Sequence, residues 1–128
     1  MSRSSRISLR LLEDRFAVCR LPPDGKIPPL TDASAFQSIT RTQTELSIVC
    51  RESPDLPGRV EAGWRCLVVD GTLEFDQIGI LASLAQPLAE AGVSIFVVST
   101  YDTDYLLVKE DKLPVALDSL RAVGHQIL

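Results

Sequence analysis

Apolar and polar positions follow two different periods along this chain, and each change of period marks an element. Trp64 to Val69 is a short apolar run rich in β-branched residues, and Asp70-Gly71 ends it as a turn does. From Ile78 the spacing lengthens to three and four. Ile78, Leu81, Ala82, Ala85, Leu88 and Ala89 then share one broad face, which predicts an amphipathic helix. Asp76 stands at its N-cap and Gly92 at its stop, while Pro87 removes one backbone hydrogen bond and predicts a kink in the last turns. Val93 to Thr100 is apolar at nearly every position, Tyr101-Asp102-Thr103 makes a tight turn, and Asp104 to Lys109 completes a hairpin. Asp111 caps a second helix whose face is Leu113, Ala116, Leu117, Leu120 and Val123, with Pro114 in the first turn and Gly124 as its stop. His125 to Leu128 leaves room for one short strand.

In order these elements read β-α-β-β-α-β, the ferredoxin-like α+β arrangement. The first half is different. Ser8 to Glu13 and Phe16 to Arg20 read as strands joined by a short turn, and Leu21 to Thr31, with four prolines, holds no helix. Ala35 to Thr40 and Glu45 to Cys50 read as another hairpin, and Arg51 to Gly63 as a linker. Ser99 to Val108 aligns without gaps on Thr40 to Val49 at an offset of 59, which suggests two copies of one unit. The expected organisation is therefore an abbreviated, mostly β unit over residues 1–60 and a complete βαββαβ unit over residues 61–128.

Composition narrows the chemistry. With 13 Lys and Arg against 17 Asp and Glu, the chain lacks the basic excess of a nucleic-acid binder. A single histidine, His125, excludes a histidine-rich metal site and leaves only itself as partner for a nucleophile. Cys19, Cys50 and Cys66 are odd in number, widely spaced and set among apolar neighbours, so they read as core thiols of a reducing compartment. The start has no apolar stretch of a secretory signal, and the longest uncharged run, 77–89, is too short to span a membrane. A cytoplasmic protein without membrane contact is expected. Asp102 and Asp104 form a D-x-D pair, but the parallel sheet and helical cap that such phosphotransferases need are missing. No enzyme and no cofactor is expected.

The stretch from Asp76 through Gly92 to Ile95 resembles the helix-and-strand signature of an ACT domain. Ser99 to Asp104 resembles the matching hairpin of the tandem-ACT family that includes the eukaryotic cytosolic arginine sensor. Phe16 to Pro22 and Ser38 to Thr42 are similar to its small bacterial members. The resemblance implies a regulatory protein that binds a small effector, usually an amino acid, between paired ACT units. On matching positions it implies Ile78, Gly79 and Ile80 at the opening of the first helix, and Thr100, Tyr101 and Asp104 at the hairpin. The sensor carries an aromatic residue where this chain has Thr103, and it has four ACT units, so a second copy of this chain is implied for a comparable site.

These positions also make chemical sense by themselves. The first N–H groups of a helix are unpaired and carry the positive end of its dipole, which suits a ligand carboxylate. Gly79 allows close approach, either of a ligand or of helix to strand. Asp104 opens an apolar strand, where a carboxylate calls for an ammonium group or several donors. Along Val93 to Val98 both faces are apolar, which points to a homodimer. The resulting expectation is an amino-acid-binding regulator acting on a protein partner, or, with the effector site lost, a dimerisation or interaction module of the same fold.

Overall fold

The structure, a computed structural model, describes residues 6–30, 36–70 and 79–128. The strands are β1 (Ser8–Leu21), β2 (Ser38–Arg41), β3 (Leu46–Arg51), β4 (Arg59–Val69), β5 (Ile95–Ser99), β6 (Asp104–Lys109) and β7 (Gln126–Ile127). The helices are α1 (Ile80–Glu90) and α2 (Leu113–Ala122). Contacts group the chain into two units: unit 1 is Met1–Glu13 with Arg65–Leu128, and unit 2 is Asp14–Trp64. A cut after residue 60 would therefore fall inside β4 and separate the C-terminal elements from the N-terminal residues their sheet uses.

In unit 1 the strand order is β7-β1-β4-β6-β5. β1 runs parallel to β7, with Ser8 opposite Gln126 and Leu9 opposite Ile127, and Ser8 O accepts the Asp70 N–H at 2.8 Å. The last strand thus lies on β1 and not on β4, as a self-contained 61–128 unit would require. One face of this sheet and the two helices enclose Leu9, Leu67, Leu106 and Val108 with Ile80, Leu84, Leu88, Ala116 and Leu120. Ile95 and Val97 of the edge strand β5 pack on the same cluster. On the alternate positions Val68 is 4% and Leu107 0% exposed, whereas Phe96 and Val98 of the edge strand are only half-buried.

Four local expectations change. Ser8 to Leu21 is one strand of 14 residues, without a turn at Asp14-Arg15. Asp14 could open a turn, but both residues are held by β3 and its end: Asp14 pairs with Arg51 at 3.3 Å and Arg15 O accepts the Glu52 N–H. Arg59 to Gly63, expected in a linker, begins β4; most of it is exposed, so no buried alternation marked it. Asp111 is not a cap, because a 3-10 turn over Glu110–Lys112 precedes α2 and Lys112 occupies the N-cap. In α1 the buried residues are Ile80, Leu84 and Leu88, while Leu81, Ala82 and Ala89 face outward. The helix is apolar nearly all round, and the core took the longest side chains at i, i+4, i+8 and left the alanines outside. Asp76 and Ile78 lie outside the described residues.

α1 continues through Pro87 to Glu90. Proline has no N–H, so the Ser83 carbonyl four residues earlier loses its helical partner. His125 fills that vacancy. Its Nε2 lies 2.9 Å from Ser83 O, and its Nδ1 accepts the Ile7 N–H at 3.1 Å. Because Nδ1 accepts, the proton sits on Nε2 and is donated to Ser83. The ring is 4% exposed, the one buried polar side chain among the described residues. The histidine is a structural cross-link between the start of the chain, α1 and the end of the chain.

In unit 2 the order is β2-β3-β1. β1 and β3 are antiparallel from Phe16 opposite Arg51 to Leu21 opposite Leu46. One face packs Cys19, Leu46, Ile48 and Cys50 against Leu21, Leu30 and Leu56. Gly58, at φ 81, has Arg20 O only 2.4 Å from where a Cβ would stand, so no other residue fits there. The β2–β3 hairpin matches the β5–β6 hairpin, but at a different offset from the sequence alignment. Arg41 pairs with Leu46 where Ser99 pairs with Asp104, an offset of 58 at both positions.

Replacing His125 with Phe keeps the volume but orphans two backbone groups, and is expected to cost about 2–4 kcal/mol in urea denaturation. In a Pro87→Ala background the new N–H reclaims Ser83 O, and the same replacement is expected to cost about 1 kcal/mol less. Strictly additive costs would show that the two residues act independently.

Candidate functional site

Of the residues singled out by sequence, Gly79 and Ile80 stand at the start of α1, and Thr100, Tyr101 and Asp104 stand on the β5–β6 hairpin. Gly79 is the N-cap of α1 in the left-handed region (φ 83, ψ 6), and its carbonyl accepts the first helical bond from Ser83 N–H at 2.9 Å. Among the described residues no side chain caps the helix and no acidic residue occupies its first turn. A Cβ built on Gly79 meets none of the described residues within 4 Å, so what the glycine serves here is its positive φ. Ile80 is 8% exposed and faces the core, so only its backbone is available at the helix end. Ile78 lies outside the described residues.

On the hairpin, the turn closes through Thr100. Its N–H donates to Thr103 O at 2.8 Å, and its hydroxyl both donates to that carbonyl and accepts the Thr103 N–H. This leaves Tyr101 81% exposed at the tip. Asp104 opposes Ser99 as the first residue of β6 and is half-buried. The expected demand of a buried carboxylate for a cation is therefore weaker than the apolar strand suggested, because solvent still reaches this end of it. Asp70 pairs with Arg10 at 3.3 Å on the surface. Among the described residues no cluster of three or more His, Cys, Asp and Glu is placed to hold a metal ion.

Thr103 is the functional position that sequence reasoning undervalued. Its hydroxyl donates to Val69 O at 2.9 Å, the last carbonyl of β4. The bond fastens the hairpin turn to the point from which the chain leaves for α1. Where the family comparison saw only a missing aromatic ring, the smaller side chain makes an anchor. A threonine between two aspartates in a turn was the available signal, since a hydroxyl there seeks a backbone partner.

The thiols are not part of this site. All three are free and buried. Burial raises the Cys19 thiol, lifts Cys50 to about 11 with Cys19 beside it adding to the effect, and lifts Cys66 to about 12. Each stays protonated and weakly nucleophilic at neutral pH.

A family model described as an ACT domain matches residues 59–122, half of the chain. The chain belongs to the ACT-domain family. A second family model, for an N-terminal domain, matches residues 14–55. A structural-genomics crystal structure from Agobacterium tumefaciens is 42% identical over 97% of this ACT protein and 93% of that chain, with a TM-score of 0.87. The cytosolic arginine sensor for mTORC1 subunit 1 of Rattus norvegicus is 41% identical over 59 residues, which is 45% of this chain but only 18% of the sensor. Aspartate kinase of Clostridium acetobutylicum shares the fold at 13% identity and a TM-score of 0.67, over 93% of this chain and 35% of the kinase. Among the described residues no helix is long and apolar enough to cross a membrane.

The raised thiols give a signed pH dependence. In the unfolded chain they ionise near 9, whereas in the folded one Cys66 holds its proton to about 12. The thiol contribution to stability is therefore fully present below pH 9 and is lost as pH rises towards 12, by roughly 1.4 kcal/mol per pH unit for each such thiol. Urea midpoints measured from pH 8 to 11 are expected to fall less steeply in Cys66→Ala than in the parent chain.

Proposed function

We propose that this ACT protein is a non-catalytic regulator that binds an amino acid, or a similar zwitterion, at an interface between ACT units. The observation that carries the proposal is the N-terminus of α1. It is opened by a glycine in the left-handed region, and among the described residues no side chain caps it and none comes within 4 Å of a Cβ built on Gly79. Backbone N–H groups at such an end hold a carboxylate through the helix dipole. In this reading Ile78, Gly79 and Ile80 supply main-chain donors, and Ile80 adds an apolar foot in the core. Thr100, Tyr101 and Asp104 take the rest of the ligand, with the Asp104 carboxylate facing its ammonium group and the exposed Tyr101 ring closing over its body.

A single copy has one such helix end and one such hairpin. We assign the other wall to a second copy, so that the site is shared in a homodimer and effector binding alters contact with a protein partner. The likeness to a protein named as an arginine sensor supports the ligand class. The half-buried state of Asp104 favours a second reading, a dimerisation or interaction module of the same fold without a ligand.

A thermal-shift screen of the full chain against the twenty amino acids separates the two. One amino acid is expected to raise the melting temperature, with about 2.7 kcal/mol of stabilisation at a hundredfold excess over its dissociation constant. Asp104→Ala and Gly79→Ala are each expected to abolish the shift. No shift with any of the twenty sinks the effector reading in favour of the interaction module. Light scattering that reports single-copy mass with saturating ligand at micromolar concentration sinks the shared site.

A further inference from the structure

Unit 2 contains a cavity of about 470 Å³ that the effector reading does not use. The volume lies within the range of small-molecule sites, roughly 300–1,000 Å³. Its floor is the sheet face that carries Cys50, which is 3% exposed. Leu30 and Leu56 pack on that face and form two walls, joined by Pro29 and Pro57. Prolines and half-buried leucines make these walls stiff, so an occupant would order little of the protein on entering. Glu52 and Asp55 are also among its lining residues, the first half-buried and the second exposed.

The charges of this lining are unbalanced. Arg51 also lines the cavity, but its guanidinium is paired with Asp14 at 3.3 Å. Glu52 accepts the Gly63 N–H at 2.7 Å, a neutral donor. Among the described residues neither Glu52 nor Asp55 is in an ion pair. Cys50 adds no charge of its own, since its thiol is raised to about 11 and stays protonated. A cavity walled by leucines and prolines, with two lining carboxylates outside any ion pair among the described residues, suits an occupant with an apolar body and a cationic head. We propose that unit 2 carries a second ligand site, for a small amine with an apolar body, lined by Leu30, Leu56, Glu52 and Asp55.

The test uses three probes of one shape and different charge, 2-phenylethylamine, 2-phenylethanol and phenylacetate, titrated into the full chain and followed by amide NMR. The amine is expected to shift the amides of Gln37, Cys50 and Leu56, and to bind about three- to fivefold more tightly than the alcohol. Phenylacetate is expected to bind most weakly. In the double variant Glu52→Gln, Asp55→Asn, which keeps an acceptor for the Gly63 N–H, amine and alcohol are expected to bind alike. Equal binding of amine and alcohol to the parent chain overturns the proposal. So does the absence of shifts at those three amides with millimolar probe, or shifts confined to Gly79 and Thr100. A failed amino-acid screen would leave this result untouched, because the two readouts lie in different units.

Discussion

One imidazole ring joins three parts of unit 1 that are far apart in sequence. Pro87 strips a hydrogen-bond donor from α1, and the Ser83 carbonyl it orphans is part-buried. His125 supplies the missing donor from the other end of the chain and uses its second nitrogen to hold the Ile7 N–H. β7, with two residues in its ladder, is a weak element by itself. It is aligned on β1 because the residue before it is fixed at both ring nitrogens. The Gln126 N–H then reaches Ile7 O and the Leu128 N–H reaches Leu9 O.

That cross-link bears on the candidate site by fixing α1 near its middle. The open end of the helix can then be left uncapped, because Leu84, Leu88 and the histidine bond hold its position from the core side. The hairpin is fastened separately, by the Thr103 hydroxyl on Val69 O. The helix is thus held from its core side and the hairpin through its turn, which leaves Tyr101 exposed on a fastened loop.

Much of unit 1 was legible in the sequence. The β5–β6 hairpin, the stops at Gly92 and Gly124 and the existence of both helices follow from local periodicity and turn chemistry. The face of α1 did not follow, because a helix apolar on several sides has no single stripe and the sheet chose among them. The offset between the hairpins was read as 59, whereas the ladders require 58. Matching threonines in the alignment outweighed the turn, in which Thr42 and Thr100 do the same work of accepting backbone N–H groups. The cavity of unit 2 was not legible at all. Its walls come from two stretches that look like irregular chain, and only the sheet face beneath them makes a pocket.

Local pattern alone was enough for the helices and hairpin of the second half, their order, the ferredoxin-like class and the family resemblance that the comparisons bear out. Each of these depends on spacings of a few residues, where period, capping and turn chemistry act. Only the tertiary structure decided that β1 is unbroken and lies between β7 and β4, that Asp104 keeps contact with solvent, and that His125 answers Pro87. Those outcomes depend on hydrogen bonds and burial between residues 40 to 120 positions apart. A carbonyl left open by a proline is visible in the sequence, but the donor that closes it is chosen by the fold.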